Sequence, residues 1–364
     1  MSFFFGERLR AAFAPPRYLS LPFSGIDLST SGVKAVRLTE DARGLTLAGY
    51  AEMRLPSGAF TNGEIIDRAA VAEALISAAR AADISAANVA LPESKAFLFE
   101  TTASGSTPIE WRTAIEQHLD ELIPLPPQET DFDIVEVGRT GTEVHIAGVG
   151  FAQRIVDDTL SLFDQAHIPV HEIEGETFAM ARALIPRGDT STVLIIDIGK
   201  TTTKISIVVG RIPRFATTIG IGGHALTLAV QKYFGVTETE ARKVKSERGI
   251  VPSAGNEEYL AAMLSTVSAI RDEISLRLNY WQDKAVQGGV HDPVSHAILA
   301  GGNASVRGLP EYLEGALKIP VTVGDVFTNL SSRDKWVPQL DYTESLAYAT
   351  AIGLALYDHV QSYA

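Results

Sequence analysis

Apolar and polar positions alternate with a period of two in three runs from Phe23 onward, FSGIDL, VKAVRL and LTLAGYAEMRL, separated by short polar turns. Such patterning predicts three consecutive strands. The period then lengthens. Ile65, Ile66, Ala69, Ala72, Leu75 and Ile76 share one stripe of a helix expected over Glu64–Ala82. NVALPE and AFLFETT predict two further strands, a helix follows over Pro108–Ile123, and ETDFDIVEV and EVHIAGVGF form an alternating pair. PLPPQ, between that helix and the pair, is a loop that proline enforces. A helix over Gln153–Ala166, the strand IPVHEI and a helix over Glu174–Leu184 complete the first half.

After PRGDTS the pattern restarts. STVLIIDIGKTTTKISIVVGRIPRFATTI reads as three strands, and Gly222 and Gly223 open a helix over Ala225–Tyr233. Helices are predicted over Thr237–Arg248 and Glu257–Gln287. The strands HAILAGG and IPVTVGDVF flank a helix over Leu309–Leu317, and a closing helix is expected over Glu344–Val360. Alternation of strands and helices throughout gives an α/β or mixed-sheet α+β class. At 364 residues the chain exceeds one ordinary core, so two domains are expected. Residues 1–22, with Pro15, Pro16 and Pro22, read as a tail. Its Phe3, Phe4, Phe5 and Phe13 either tuck onto the protein or meet a membrane or partner.

Composition removes several function classes. Hydrophobic content of 46% with 21% charged residues excludes a disordered or fibrous chain. The absence of cysteine excludes disulfides, zinc–thiolate sites and thiol catalysis. A net charge of −13 repels phosphate backbones, so no nucleic-acid partner is expected. A compact phosphate site stays open, because backbone N–H groups and a cation suffice for one. No window approaches 18 uninterrupted apolar residues, and the start MSFFFGERLRAAF is too charged for a secretory signal. The chain is therefore expected to remain where it is made. Its eight histidines show no metal-ligand spacing, and His224 reads as a surface or capping residue.

The most informative feature is an internal echo. Asp27-Leu-Ser-Thr-Ser-Gly-Val-Lys34 and Asp197-Ile-Gly-Lys-Thr-Thr-Thr-Lys204 share one pattern: Asp, aliphatic, two residues, hydroxyl, two residues, Lys. Each follows an apolar strand and precedes another, and duplication at this spacing argues for two similar lobes rather than a solenoid. The small residues of such turns let backbone N–H groups approach a phosphate, and an Asp at the strand end can hold a hydrated Mg2+. A single such hairpin is equally an ordinary polar turn. Two facing each other would clamp a polyphosphate. A third segment, Ala297-Ile-Leu-Ala-Gly-Gly-Asn-Ala-Ser-Val-Arg-Gly-Leu-Pro310, delivers Gly301 and Gly302 at the carboxyl end of a strand, where open α/β sheets bind ligands.

These three segments, in this order, resemble the two phosphate motifs and the adenosine motif of the actin-like ATPase superfamily, and the resemblance runs from Phe23 onward. Within it the chain resembles the PilM family of type IV pilus assembly. That likeness rests on GIDLSTSGVKAVRL, IEQHLDELIPLPPQETDFDIV, GVGFAQRIVDDTLSLFDQAHIPVHEIE, IGIGGHALTLAV and AIGLAL. The resemblance implies a two-lobed actin-like ATPase fold with duplicated ribonuclease-H-like lobes and an inserted α+β subdomain in the first lobe. The expected division is a tail over 1–22, a first lobe over 23–185 with the insert at about 85–150, a second lobe over 186–342, and a closing helix over 343–364 returning to the first lobe.

The resemblance further implies ATP and Mg2+ as cofactors. Ser29, Thr30, Ser31, Lys34, Gly199, Lys200, Thr201, Thr202, Lys204, Gly222, Gly223, Lys245, Gly301, Gly302 and Asn303 would bind nucleotide, with Asp27 and Asp197 at the metal. Lys200 either adds a charge-assisted phosphate contact or is solvated. Glu176 either orients a hydrolytic water, as a similar Glu segment does in MreB, or favours a helix N-terminus electrostatically. The family's Glu-Ala-Glu-x-x-Lys pattern reads Glu240-Ala-Arg-Lys-Val-Lys245 here, so Lys245 carries over toward the ribose while Arg242 replaces a Glu.

The implied partner is the cytoplasmic N-terminal peptide of a PilN-like inner-membrane protein, docked between the first lobe and the insert around Val89–Val149. The pilus motor ATPase is a further partner, and the location is the cytoplasmic side of the inner membrane, held there mainly through partners. The alternatives are an FtsA-like cell-division protein, a filament-forming actin homologue and a small-molecule kinase. The chain stops at Ala364, soon after AIGLAL, so an FtsA-type membrane-binding linker and helix are not expected.

Overall fold

A computed structural model describes residues 23–288 and 292–357. The tail over 1–22, with its phenylalanines, lies outside the described residues. The first three strands, β1 (Ser24–Ser29), β2 (Gly32–Asp41) and β3 (Gly44–Arg54), are consecutive antiparallel neighbours. The helix expected from Glu64 begins later. Asn62 and Gly63, both at positive φ, turn the chain back so that β4 (Phe60–Thr61) pairs with β5 (Glu64–Ile65). Helix α1 (Arg68–Ala81) then starts behind Asp67, whose side chain accepts the N–H of Ala70 at its N-terminus.

Strand β6 (Ala87–Leu91) lies parallel to β1. The expected bounds of the insert, about 85–150, include this strand, but it belongs to the first sheet. The inserted unit is a three-stranded antiparallel sheet of β7 (Phe97–Ser104), β8 (Thr130–Thr140) and β9 (Glu143–Ala152), with β9 in the middle. The helix predicted over Pro108–Ile123 is interrupted at Gln117 and His118, giving α2 (Pro108–Glu116) and α3 (Leu119–Leu122). The break lets Leu119 and Ile123 join Trp111, Ile115, Phe99 and Ile146 in a separate small core. Helix α4 (Gln153–Gln165) leads to β10 (Val170–Gly175), which pairs with β6 in parallel. Glu174 therefore lies in a strand, and α5 (Glu176–Leu184) begins two residues later than predicted.

The second half repeats the first. β11 (Thr192–Ile198), β12 (Thr203–Val209) and β13 (Ile212–Ile219) are antiparallel neighbours. Helices α6 (Gly223–Phe234), α7 (Glu238–Arg248) and α8 (Glu257–Gly288) follow. β14 (His296–Ala300) runs parallel to β11, and beyond α9 (Leu309–Leu317) β15 (Val321–Val323) runs parallel to β14. Read from the third strand, the sheets are β3-β2-β1-β6-β10 and β13-β12-β11-β14-β15. Strand order and direction are the same. The central strands of both are buried, as sheets covered on two faces require.

The last predicted strand is shorter than IPVTVGDVF suggests, because Asp325 accepts the N–H of Phe327 and turns the chain. The closing helix is also shorter. A turn at α10 (Tyr342–Ser345) and a 3-10 segment at Leu346–Tyr348 precede α11 (Ala349–Ala355), and residues 358–364 lie outside the described residues. Helices α5 and α11 pack between the two sheets: Met180 and Ile352 share one core with Val36 and Leu38 of the first and Val193 and Ile195 of the second. Gly353 permits this approach, since a Cβ there would collide with the backbone of Ala179. Among the described residues, no helix is long and apolar enough to cross a membrane.

Candidate functional site

Each hairpin seats its Asp directly opposite its Lys. Asp27 faces Lys34 across β1–β2, and Asp197 faces Lys204 across β11–β12. The echo in the sequence is thus an echo in register, and the tips of the two hairpins meet. The hydroxyls of Thr30 and Thr201 lie 3.0 Å apart.

On the first hairpin, Ser29 and Ser31 exchange a hydroxyl contact of 2.9 Å, and Lys34 Nζ donates to Ser31 Oγ at 2.9 Å and Ser29 Oγ at 3.4 Å. Lys34 is buried, with the Glu52 carboxylate 3.7 Å from its ammonium. Glu52 is not among the site residues expected from the sequence; it stands on the neighbouring strand directly across from Lys34, a cross-strand pairing that alternation signals.

Three segments of the second half converge in space. The N–H of Gly223 donates to Gly199 O at 2.9 Å, and that of His224 to Lys200 O at 2.8 Å. Asn303 donates its amide to Gly199 O at 2.9 Å and accepts from Lys245 Nζ at 2.7 Å; Lys245 also donates to Gly223 O at 3.1 Å. Gly222 packs on the backbone of Thr202, and a side chain at Gly223 would fill the place of the Asn303 amide. Gly301 adopts φ +85°, and a Cβ there would strike Asp197 Oδ1. Gly302 next to it is exposed. Burial pushes Lys245 down to about 8, and the charge of Arg242 adds to this. Arg242 itself turns away to pair with Glu238. The side chain of Lys200 is exposed, which leaves it solvated in this form.

Between the hairpins lies a compact set of charges. Lys204 Nζ is 2.6 Å from Glu176 Oε2 and 3.6 Å from Asp197 Oδ2. Burial favours its neutral amine, but Glu176, Asp197 and Asp27 outweigh that and hold Lys204 well above the usual lysine range. Asp27 is pushed up to about 6, first by burial and then by the Glu176 charge, against the pull of Lys34 and Lys204. Its Oδ1 is buried with no hydrogen-bond partner.

One expectation changes here. Glu176, expected either to orient water or to favour a helix N-terminus, is occupied: its Oε2 accepts both the Lys204 ammonium and the N–H of Glu93, the latter at 3.1 Å. Lys204 also stands beside Asp197, one of the two carboxylates expected at a hydrated Mg2+. Among the described residues no three His, Asp or Glu side chains converge as direct metal ligands.

Glu93 is a residue the sequence reading missed. It sits buried in the turn between β6 and β7, and its Oε2 accepts the N–H of Thr177 at 3.1 Å and the Thr177 hydroxyl at 2.5 Å. Burial pushes its carboxyl up, and the Glu176 charge adds to this against the Thr177 bonds. A carboxylate just past a largely apolar strand, as in NVALPE, was the available signal. Glu93 ties the root of the insert to the first turn of α5, and the insert reaches the second sheet as well, through Arg214 of β13 and Glu100 of β7 at 2.8 Å.

Residues 25–359 match the family described as type IV pilus assembly protein PilM. The chain belongs to this family. A curated relative at lower coverage, the cell division protein FtsA of Borreliella burgdorferi, is 23% identical over 255 residues, 65% of this chain. The chain spans 59% of that relative's length. Among solved structures, a PilM–PilN type IV pilus biogenesis complex superposes with a TM-score of 0.73 at 19% identity, covering 92% of this chain and 97% of that one. MreB5 of Spiroplasma citri bound to AMPPNP gives 0.53 at 15% identity, with 93% and 96% covered. Ethanolamine utilization protein EutJ of Carboxydothermus hydrogenoformans gives 0.51 at 16%, with 92% and 89% covered. These likenesses show the actin-like fold of this PilM-family chain.

Proposed function

We propose that this PilM-family chain is a nucleotide-holding scaffold of a type IV pilus assembly platform. The single observation that carries the reading is the meeting of the two Asp–Lys hairpins at Thr30 and Thr201, with Gly223, Lys245, Gly301 and Asn303 gathered beside the second hairpin. That geometry fits a nucleoside triphosphate: hydroxyls and ammonium groups at both tips, glycines that let the loops pack closely around them, and the buried unpartnered oxygen of Asp27. ATP is the nucleotide we assign, with its base toward Lys245 and Asn303. Mg2+ would arrive on the phosphates and reach Asp27 and Asp197 through water.

Binding would part the hairpin tips and bridge the two lobes through the phosphates, with β13 and the Glu93 turn transmitting that rearrangement to the insert. The groove between insert and first sheet, around Val89–Val149, is where we place the N-terminal cytoplasmic peptide of a PilN-like inner-membrane protein. The support is the resemblance in fold to a PilM–PilN complex. The chain would then act on the cytoplasmic side of that membrane, with the pilus motor ATPase a further partner. Capture of such a peptide by the full chain tests the assignment. It is expected to be lost when surface residues of the insert are replaced, and retention would place the groove elsewhere.

The occupied Glu176 favours holding nucleotide over turning it over.

A further inference from the structure

We propose that Lys245 serves nucleotide binding as a positioning residue: it orients the Asn303 amide, that amide fixes the backbone of the second phosphate hairpin, and Lys245 itself does not touch the nucleotide. The inference rests on the cleft reading above and concerns how the second-lobe wall of that cleft is held in place.

The two ends of an asparagine amide have nearly the same shape and opposite hydrogen-bonding sense. In Asn303 the nitrogen faces the hairpin, donating to Gly199 O at 2.9 Å and to Ile198 O at 3.2 Å. Its Oδ1 accepts from Lys245 Nζ at 2.7 Å. An ammonium offers only donors, so Lys245 admits the amide in this orientation alone. Turned over, the amide would set its NH2 against the ammonium and its oxygen against two carbonyls. Away from water such a mismatch costs more than the bonds it loses.

The two carbonyls that Asn303 holds lie at the base of the hairpin loop. Gly199 O also receives the Gly223 N–H at 2.9 Å, and Ile198 O the backbone N–H of Asn303 at 3.2 Å. Ile198 and Gly199 directly follow Asp197 and lead to Thr201, whose hydroxyl meets Thr30. Their placement therefore sets where the hairpin presents its N–H groups and hydroxyls to a phosphate. Gly223 belongs to the same arrangement. A Cβ there would occupy the place of the amide, and the Gly223 carbonyl accepts Lys245 Nζ at 3.1 Å. The family pattern carries this lysine toward the ribose, but Lys245 is buried and its two hydrogen bonds go to oxygens of the protein.

The test is calorimetric titration with Mg-ATP of four full-length chains: wild type, Lys245→Met, Asn303→Ala and the double variant, each first melted without nucleotide to check that it is folded. Lys245→Met is expected to weaken ATP binding about tenfold in the wild-type background. In the Asn303→Ala background it is expected to cost less than about twofold, because both substitutions break one chain of contacts. Equal losses in the two backgrounds overturn the inference and leave the cleft reading standing. So does a Lys245→Met protein that binds ATP as wild type does. Titration of wild type and Lys245→Met with 2′-deoxy-ATP decides independently, including the case in which Asn303→Ala does not fold. The ratio of ATP to 2′-deoxy-ATP affinity is expected to be the same in both, since the effect of Lys245 does not pass through the ribose. A preference for ATP that Lys245→Met abolishes overturns the inference. No ATP binding by wild type overturns the cleft reading and this inference together.

Discussion

Thr30 and Thr201 are separated by 171 positions in the chain, yet their hydroxyls meet at 3.0 Å. The contact joins the tips of hairpins from different sheets, and it closes the gap through which a phosphate chain would lie. The protein contains no cysteine, so the contact can be tested without background. The double substitution Thr30→Cys with Thr201→Cys is expected to form an intramolecular disulfide on mild oxidation, since a bridge needs Cβ atoms only about 4 Å apart. A shift in non-reducing electrophoresis reads it out; free thiols after oxidation would mean that the tips do not meet.

Gly301 is expected to tolerate no side chain. At φ +85°, with Asp197 Oδ1 and the Ile198 carbonyl where a Cβ would stand, Gly301→Ala combines backbone strain with a clash. A loss on the order of 2 kcal/mol is expected, lowering the melting temperature by several degrees. Gly315, around which a Cβ would meet nothing, is the control. An unchanged melting point for Gly301→Ala would remove the close packing of this loop on Asp197.

Asp27 carries a pH signature. Its pKa is raised from 3.8 to about 6 in the folded chain, so the folded state binds the proton more tightly than the unfolded state. The resulting stability is fully present below about pH 4 and is lost as pH rises through about 6. At neutral pH the buried charge costs up to about 3 kcal/mol, at 1.36 kcal/mol per unit. Asp27→Asn is therefore expected to stabilise the nucleotide-free protein near neutral pH, with an advantage that shrinks toward about pH 4. Urea unfolding at both pH values measures this, and an advantage independent of pH would contradict the assignment.

Glu176 is expected to be dispensable for hydrolysis, because Lys204 and the Glu93 N–H hold its oxygen. Whatever slow phosphate release the chain shows from ATP should be unaltered in Glu176→Gln. Loss of a residue that positions the attacking water would instead cost about 100-fold or more.

Much of this site was legible in the sequence because its chemistry is local. Asp27 and Asp197 close apolar strands, their hairpins carry small hydroxyl residues, and the same spacing recurs to Lys34 and Lys204. Gly301 follows a short aliphatic strand in the same way. The misses are long-range. Glu93 reads as one more carboxylate after a strand, and only folding brings it against Thr177, 84 positions away. The lysine–carboxylate pairing that occupies Glu176 joins α5 to β12 and has no periodic signature. Element boundaries failed where one local feature overrode a pattern: Gly63 turned a predicted first helical turn into a hairpin, and Asp325 cut short the last strand.

The central claim is that one triphosphate lies between the two hairpins. Calorimetric titration with ATP of the Thr30→Cys, Thr201→Cys chain, reduced and then oxidised, tests it most directly. The account predicts one ATP per reduced chain and none once the tips are locked together. Equal affinity in both forms, or none in the reduced form while wild type binds, would contradict it.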